Sequence, residues 1–353
     1  MAAGEALQPR LFKATGVRVN PRVEWVEVEV KSVLNRVRGM PFEWSINPYR
    51  GCEHQCAFCY ARRTHWFLDQ DGVNNWGNRI FVKINAPEIL RRELAHPSWA
   101  HEEVEVGTAT DPYQPAEGAY KITRRILEAL RDSRTPVGLI TRSSMIIRDL
   151  DVLRDLARGP GVRVCFSVAT MNEQIAGEIE PGAPPPVKRL EALRTLSRAG
   201  IPTVVMLAPV LPGITDDVRT LTEVVTAARD YGAASLATVA LHLGEVTREA
   251  FFEFLTHRYP QLVPEYRRLY QGKYAPTAYR RQVQRIVGAI QARVGLRSRE
   301  IPAAGPETVA RQPSEQLELF GRRAVWRSPD GSSSTAIRPT ARATGPATAS
   351  CPP

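Results

Sequence analysis

The sequence predicts an α/β fold: a partial (β/α)6 TIM-like barrel with a helical C-terminal extension and a disordered tail. Apolar segments of strand length alternate with longer amphipathic segments about six times along the chain, as in parallel βα units. The strand segments show little alternation of apolar and polar residues, which indicates a sheet covered on both faces. A doubly wound sheet is the alternative, because one sequence does not reveal the order of the strands.

The predicted elements follow one another in a regular order. Segment 43–48 leads into a group of cysteines, and candidate strands follow at 103–109, 137–141, 162–169, 202–208 and 234–241. The amphipathic segments between them include 120–131, 146–158, 187–199 and 217–230. In the third of these, leucines recur at helical spacing and Gly200 marks the end. Residues 249–292 also have a helical pattern, and we expect them to cap the barrel.

We divide the chain into four parts. They are an N-terminal extension at 1–40, the barrel core at 41–245, a helical extension at 246–298 and a tail at 299–353. Residues 301–353 contain eight of the 28 prolines together with many small polar residues. Such a composition buries too little apolar surface to fold, so we expect the tail to be disordered.

Composition and charge narrow the class of protein. The 353 residues contain no unbroken apolar run of about 18 residues, so we expect no membrane span. The first residues lack the pattern of a secretion signal, and we expect a cytoplasmic protein. The formal charge of +10 favours anionic partners such as nucleic acid. A solvated, arginine-rich surface is an equally good explanation of that charge.

The strongest signal is a group of three cysteines in segment 51–60, which reads GCEHQCAFCY. Three thiolates on one loop bind three corners of a [4Fe–4S] cluster and leave one iron open, as a catalytic metal centre requires. S-Adenosylmethionine can bind that iron, and one electron from the cluster then cleaves it to a 5′-deoxyadenosyl radical. Cys52, Cys56 and Cys59 are therefore the candidate metal ligands and catalytic residues, and the predicted cofactors are the [4Fe–4S] cluster and S-adenosylmethionine.

Structural zinc is the competing interpretation, with His54 or His65 as a fourth ligand. Zinc motifs usually have two paired arms, and no second arm follows here. An electron-transfer cluster would normally have four cysteines. We therefore favour the open cluster.

The residues around the cysteines resemble the radical S-adenosylmethionine (radical SAM) superfamily. More closely, they resemble its spore photoproduct lyase-related branch, often labelled DNA repair photolyase. The resemblance rests on SINPYRGC at 45–52, CYAR at 59–62, TDPYQP at 110–115 and PVLPG at 209–213. It implies a partial (β/α)6 barrel, lyase-like radical chemistry and an electron donor such as flavodoxin or ferredoxin.

The resemblance also implies roles for residues near the start of the barrel. Phe58 matches an aromatic residue that touches the adenine, although it would also pack the loop onto the barrel. Thr110 and Asp111 end the second strand. In enzymes of the superfamily, this strand end usually contacts the ammonium group of the methionine. Alternatively, Asp111 caps the following helix. Apart from the resemblance, Lys83 and Asn85 are either site residues or part of a strand edge.

Later strands supply further candidates for cofactor binding. Arg142 and Ser143 close the third strand, and a fixed cation there would bind the methionine carboxylate. Ser167 lies in the fourth strand, where its hydroxyl faces the ribose or bonds to the backbone. Glu180 and Arg189 would form an ion pair that orders a lid over the cofactor, or a surface pair without consequence.

One feature of spore photoproduct lyases is absent. Those enzymes use an additional cysteine, a few tens of residues after the cluster, to return a hydrogen atom to the product radical. No cysteine lies between Cys59 and Cys165, and a cysteine within an apolar strand is more often a small core residue. Tyr113, close to Asp111, is therefore our candidate hydrogen-atom donor.

These observations favour a radical enzyme that acts on nucleic acid as a lyase or repair-type enzyme. The alternative is a radical enzyme that modifies a protein or a small metabolite, and a non-enzymatic metal-binding scaffold is the third hypothesis. The tail segment Gln316–Phe320, QLELF, resembles peptides that dock on the bacterial sliding clamp. Its apolar side chains would insert into a pocket of that partner, or the segment would fold back onto the barrel.

Overall fold

A computed structural model describes residues 23–68, 72 and 76–296 of the chain, without the side chains of 66–68. The predicted disorder of 299–353 and the predicted docking segment at 316–320 lie outside the described residues. Within them, no helix combines the length and apolar character needed to cross a membrane.

Ten strands form two sheets in the described part of the chain. The strands are β1 (Glu24–Val28), β2 (Asn35–Arg36), β3 (Trp44–Ile46), β4 (Tyr49–Arg50), β5 (Arg79–Lys83), β6 (Val104–Val106), β7 (Val137–Thr141), β8 (Val162–Ser167), β9 (Thr203–Val210) and β10 (Ser235–Ala240). The larger sheet has the order β10-β9-β8-β7-β6-β3-β2, and the smaller has the order β1-β5-β4. All neighbours in the larger sheet are parallel except β2, which is antiparallel to β3.

The order of the strands decides between the two predicted folds. The six parallel strands β3 and β6 to β10 are neighbours in the order in which the chain visits them. A doubly wound sheet reverses direction at a switch point, and no reversal occurs here. The partial (β/α)6 barrel is therefore confirmed. It is open, because β10 does not pair with β3 or β2 among the described residues.

Helices connect the parallel strands and extend the chain after β10. They are α1 (Ala86–Leu94), α2 (Pro115–Tyr120), α3 (Ile122–Asp132), α4 (Leu150–Arg158), α5 (Glu173–Ile179), α6 (Pro186–Arg198), α7 (Val218–Asp230), α8 (Glu245–Arg258), α9 (Val263–Leu269) and α10 (Thr277–Val294). The predicted helices correspond to α3, α4, α6 and α7, but the first part of 146–158 belongs to a 3₁₀ helix, Ser144–Asp149. Helices α1, α2 and α5 were not predicted.

The C-terminal helices do not act together as a cap. Phe251 of α8 and Tyr266 of α9 form a second apolar core with Cys56 and Phe58 of the cysteine loop. Helix α10 instead packs against α7 and β10, on the flank of the barrel. The predicted cap therefore consists of α8 and α9. The domain boundaries after residues 40, 245 and 298 stay predictions.

The segment before the cysteines is joined closely to the core. Strand β1 pairs in parallel with β5, and the Glu93 carboxylate of α1 accepts hydrogen bonds from the backbone of Val33 and Leu34 at 3.1 and 3.0 Å. The indole of Trp25 donates to Glu53 in the cysteine loop at 3.0 Å. This part of the N-terminal extension therefore helps to hold the loop.

A buried ion pair crosses one strand of the barrel. Glu105 of β6, Gly138 of β7 and Arg163 of β8 lie side by side in register, and Glu105 pairs with Arg163 across the glycine. A Cβ atom on Gly138 would lie 2.2 Å from the Glu105 carboxylate. A side chain at this position would therefore have to displace the Glu105 carboxylate from its position beside Arg163.

We predict that Gly138→Ala lowers the free energy of unfolding by about 2 kcal/mol or more, through overpacking and a disturbed buried ion pair. Urea titration measures this change. Gly288→Ala on α10 is the matched control, because a Cβ atom there meets nothing within 4 Å. That control should be neutral or more stable by up to about 1 kcal/mol. Equal unfolding midpoints for the two variants would contradict the prediction.

Candidate active site at the cysteine loop

The three cysteines lie together on a short loop between β4 and a 3₁₀ helix, Tyr60–Leu68. Two backbone hydrogen bonds fold this loop, from Gln55 to the Cys52 carbonyl and from Cys59 to the Cys56 carbonyl, both at 3.2 Å. Cys52 and Cys56 are buried, and Cys59 is partly exposed. Burial raises the pKa of each thiol, and each neighbouring thiolate would raise the pKa of Cys52 further. The thiols are therefore close enough to interact with one another.

The donor set fits a [4Fe–4S] cluster. In such a cluster each thiolate binds a different iron, so the sulfurs need not meet at one point. Accordingly, no three His, Cys, Asp or Glu side chains in the described ranges converge to hold a single metal ion. Burial raises the pKa of Cys56, and the guanidinium of Arg142 partly opposes this effect. A positive charge therefore lies where it would stabilise a thiolate.

The two histidines of the zinc alternative have other surroundings. His54 Nδ1 lies 3.3 Å from the Asp111 carboxylate, and the His65 ring packs against the indole of Trp76, with 5.0 Å between ring centroids. Neither arrangement completes a tetrahedral site with the cysteines.

The segment after α5 holds the cysteine loop from one side. The Ala57 amide donates to the Ile179 carbonyl at 2.9 Å, and the Gly182 amide donates to the His54 carbonyl at 3.0 Å. A Cβ atom on Gly182 would lie 2.0 Å from the Glu53 carbonyl oxygen. The two backbones are therefore in direct contact, and only glycine allows this approach.

Four donors converge on the Asp111 carboxylate, which lies after β6. Its Oδ1 accepts from the Tyr113 amide at 2.9 Å and the Thr141 hydroxyl at 2.7 Å. Its Oδ2 accepts from the Arg142 amide at 2.6 Å and lies 3.3 Å from His54. Burial raises the pKa of Asp111, but the interaction with His54 and these hydrogen bonds outweigh burial and lower it to about 2. Asp111 is therefore ionised, and the protein itself fills its acceptor positions.

Thr110 also bonds to the loop. Its hydroxyl donates to the Gly51 carbonyl at 2.6 Å and accepts from the Gln114 amide group at 3.0 Å. The same amide group donates to Gly51 at 3.2 Å, and its oxygen accepts from the Glu53 backbone at 3.0 Å. Thr110 and Gln114 therefore fix both sides of Cys52 to the end of β6.

Arg142, Glu180 and Arg189 form a chain of charges, of which Glu180 and Arg189 are buried and Arg142 is partly exposed. Glu180 lies 2.8 Å from Arg142 Nε and 2.5 Å from the terminal nitrogen of Arg189. Burial raises the pKa of Glu180, but the two arginines lower it below its usual range. Arg189 also donates to the carbonyls of Ser167 and Pro184, at 3.0 and 2.8 Å. The predicted ion pair is thus present, and it is buried rather than on the surface.

Arg142 is the member of this chain that reaches the loop. Its guanidinium carbon lies 5.6 Å from the centroid of the Phe58 ring, and its side chain is 20% exposed. Arg189 and Glu180 are each 1% exposed. Of the three residues, only Arg142 can therefore meet a ligand without rearrangement.

The remaining predicted residues have different surroundings. Phe58 is buried in the second core beside the loop. The Ser143 hydroxyl accepts from the Met145 amide at 3.2 Å, as the cap of the 3₁₀ helix. Ser167 shares a face of β8 with Arg163, whereas Val164 and Phe166 on the opposite face join the main core.

The structure does not join Tyr113 to the cysteine loop through its side chain. The phenol is buried in the main core, and its hydroxyl donates to Asp149 at 3.0 Å. The Arg148 guanidinium lies 5.9 Å from its ring centroid. None of these contacts involves a cysteine, and the role of Tyr113 as hydrogen-atom donor stays a prediction.

Four further residues near the loop were not predicted. Gln114 has been described above. Arg62 is buried and donates to the Cys56 carbonyl at 3.2 Å, and Tyr60 donates its hydroxyl to the Thr108 carbonyl. The side chain of Asn47, after β3, accepts from the Ala109 amide at 2.6 Å. All four lie within the motifs that carry the family resemblance. The sequence alone does not show which residues each of them contacts.

Comparison with known proteins agrees with this architecture. Residues 46–245 match the Radical SAM superfamily, whose enzymes use a [4Fe–4S] cluster and S-adenosylmethionine. An uncharacterised protein of Mycobacterium tuberculosis is 38% identical over 298 residues, which cover 83% of this chain and 87% of the relative. A radical SAM Nα-GlyT isomerase of Pseudomonas phage M6 is 30% identical over 179 residues, 50% of this chain and 35% of the isomerase.

The fold also resembles a solved structure. Spore photoproduct lyase with bound S-adenosylmethionine and dinucleoside spore photoproduct superposes with a TM-score of 0.60 at 17% identity, covering 78% of this chain and 82% of the lyase. The match to the superfamily covers the cysteine loop and the parallel strands β6 to β10. The chain therefore belongs to the radical SAM superfamily and is an enzyme, and its fold is similar to that of spore photoproduct lyase.

Proposed function

We propose that Cys52, Cys56 and Cys59 hold the [4Fe–4S] cluster and that the enzyme acts on nucleic acid as a lyase or repair-type enzyme. The observation that carries the proposal is the loop of three interacting thiols, held at the end of the parallel strands beside Arg142. When bound, the cluster supplies the electron that cleaves S-adenosylmethionine and starts radical chemistry. The carboxyl ends of barrel strands are the usual position of active sites.

The surrounding residues have distinct roles in this proposal. Arg142 binds the methionine carboxylate as a charge-assisted hydrogen-bond donor, while Glu180 orients its guanidinium. Phe58 lies against the adenine. Asp111 and Thr110 are positioning residues, because their side chains are occupied by bonds within the protein.

Two observations support nucleic acid as the substrate class. The structurally similar spore photoproduct lyase binds a dinucleoside. Helix α10 carries four arginines and no acidic residue, and Arg281, Arg285 and Arg293 are exposed. Within the described ranges these three make no ion pair. A helix face of this kind fits a phosphate backbone.

Other partners stay predictions. A flavodoxin or ferredoxin as electron donor, a cytoplasmic location and docking of 316–320 on the sliding clamp follow from the sequence and the family. Loss of clamp binding in Leu319→Ala would test the last of these.

We predict that Gly182→Ala lowers the iron and sulfide content of anaerobically reconstituted protein. The added methyl group would push Glu53 and His54 away, and overpacking of this kind costs about 1–3 kcal/mol. Gly177→Ala on α5 is the control, because its Cβ atom would meet nothing within 4 Å. A full cluster in Gly182→Ala would show that this contact does not shape the loop.

We predict that Arg142→Met raises the Kd for S-adenosylmethionine by about 10- to 100-fold, since a hydrogen bond to a charged group contributes about 1.5–3 kcal/mol. Glu180 keeps Arg189 as a partner in this variant, which limits the damage to the fold. Equilibrium dialysis with reconstituted protein measures the affinity. Arg154→Met, at an exposed position of α4, should bind like the wild type. Unchanged affinity in Arg142→Met would remove its proposed role.

The substrate class is tested by adding DNA to reconstituted protein with S-adenosylmethionine and dithionite. We expect ultraviolet-irradiated or untreated DNA to raise 5′-deoxyadenosine release above the DNA-free rate, with a mass change in the digested nucleosides. Binding should weaken steeply with salt, and Arg281→Ala/Arg285→Ala should reduce the salt slope by about 2. Arg219→Ala on α7, whose arginine pairs with Glu223, is the control.

Two results would reject nucleic acid as the substrate class. One is DNA that neither binds at low salt nor alters 5′-deoxyadenosine release. The other is stimulation by peptides or small metabolites alone, which would favour the alternative class of substrate.

A further inference from the structure

Lys83 is a lysine without a carboxylate partner among the described residues, at the end of the central strand of the smaller sheet. It ends β5, and its ammonium donates to the Asn47 carbonyl at 2.7 Å. No carboxylate in the described ranges pairs with it, and this hydrogen bond is the only one that its side chain makes there. An ammonium group has three donors, so two of them are available to a ligand.

The surroundings of Lys83 disfavour its charge. Burial and the neighbouring charge of Arg50 lower the pKa of Lys83 to about 7. Arg50 lies on β4 opposite Phe81, so Arg50 and Lys83 lie on the same face of the small sheet. The side chain of Lys83 is still partly exposed. An anion bound beside Lys83 would favour its charged form, because an opposite charge nearby offsets the effects of burial and of Arg50.

The position of Lys83 links this cation to the cysteine loop. Asn47, which holds the ammonium, donates its amide group to the Thr108 hydroxyl at 3.2 Å. Thr108 in turn accepts from the Tyr60 hydroxyl, next to Cys59. The Tyr60 side chain is one of four large apolar groups exposed in the described residues, at 51%. Asn47 and Thr108, which are hydrogen-bonded to each other, thus hold the Lys83 ammonium and the exposed Tyr60 ring, respectively.

This combination fits a nucleotide better than an isolated anion. Proteins bind single strands by placing cations along the backbone and stacking bases on aromatic rings. A carboxylate ligand would use the cation but would have no need of the ring.

We propose that Lys83 and Tyr60 form a nucleotide subsite beside the cysteine loop, in which Lys83 binds a backbone phosphate and Tyr60 stacks on the adjoining base. The subsite rests on the proposed action on nucleic acid, and it specifies the position at which the strand is held. A strand held in this subsite would have its next nucleotide beside Cys59, which precedes Tyr60 in the chain.

The test uses full-length reconstituted protein and a labelled oligothymidylate, either with phosphodiester linkages or with uncharged methylphosphonate linkages. We expect Lys83→Met to weaken binding of the phosphodiester strand by about 10-fold and to reduce its salt slope by about 0.7. Binding of the methylphosphonate strand should not change. Lys83→Arg should restore most of the affinity, and Lys188→Met, at an exposed lysine of α6, should bind like the wild type.

The outcomes separate this inference from the proposed function. If the wild type binds the phosphodiester strand with a salt slope but Lys83→Met binds it equally well, the subsite is wrong while action on nucleic acid survives. Equal losses for both strands, with a lower unfolding midpoint, would mean that Lys83 is only structural. If the wild type binds no oligonucleotide but binds an acidic peptide through Lys83, both the subsite and the nucleic-acid function are overturned.

Discussion

The Asp111 carboxylate joins three parts of the chain that the active site needs in one place. It bonds to the end of β7 through Thr141 and the Arg142 backbone, and to the cysteine loop through His54. Burying a carboxylate costs free energy unless hydrogen bonds and opposite charges compensate it. Loss of any one of these partners would therefore destabilise the fold around Asp111. The positions of Arg142 and of the loop are therefore linked through one charge.

Arg142 is held at both ends as a result. Its backbone amide is fixed by Asp111, and its guanidinium is fixed by Glu180, which Arg189 holds from the other side. Such a residue loses little conformational entropy when a ligand binds, because its rotamer is already selected. This preorganisation gives a reason for the positions of Glu180 and Arg189: together they hold Arg142 in place beside the cysteine loop.

The sequence was sufficient for the barrel and the superfamily but not for the partners of each polar residue. The strands β7 to β10 were located closely because both faces of each are buried, which leaves continuous apolar segments. Thr110 and Asp111 were predicted to end the second strand, but β6 ends at Val106, and they lie in the loop that follows it. Their partners Gly51 and His54 are more than 50 residues away in the chain. Contacts of that separation depend on register, and one sequence carries no direct signal for them. Tyr113 was selected by its nearness to Asp111 along the chain, and its side chain instead joins the main core.

The charges around the loop indicate what kind of group the site accepts. Arg62, Arg142 and Arg189 bring positive charges to the surroundings of the loop, where Glu53, Asp111 and Glu180 bring carboxyl groups. In the absence of iron, burial keeps the thiols protonated by raising their pKa, and binding of metal releases those protons. Three thiolates with a [4Fe–4S]²⁺ core would carry one net negative charge, and in our proposal the Arg142 guanidinium near Cys56 helps to balance it and binds the methionine carboxylate. Further anionic groups of the proposed substrate would need cations elsewhere, as we propose for Lys83.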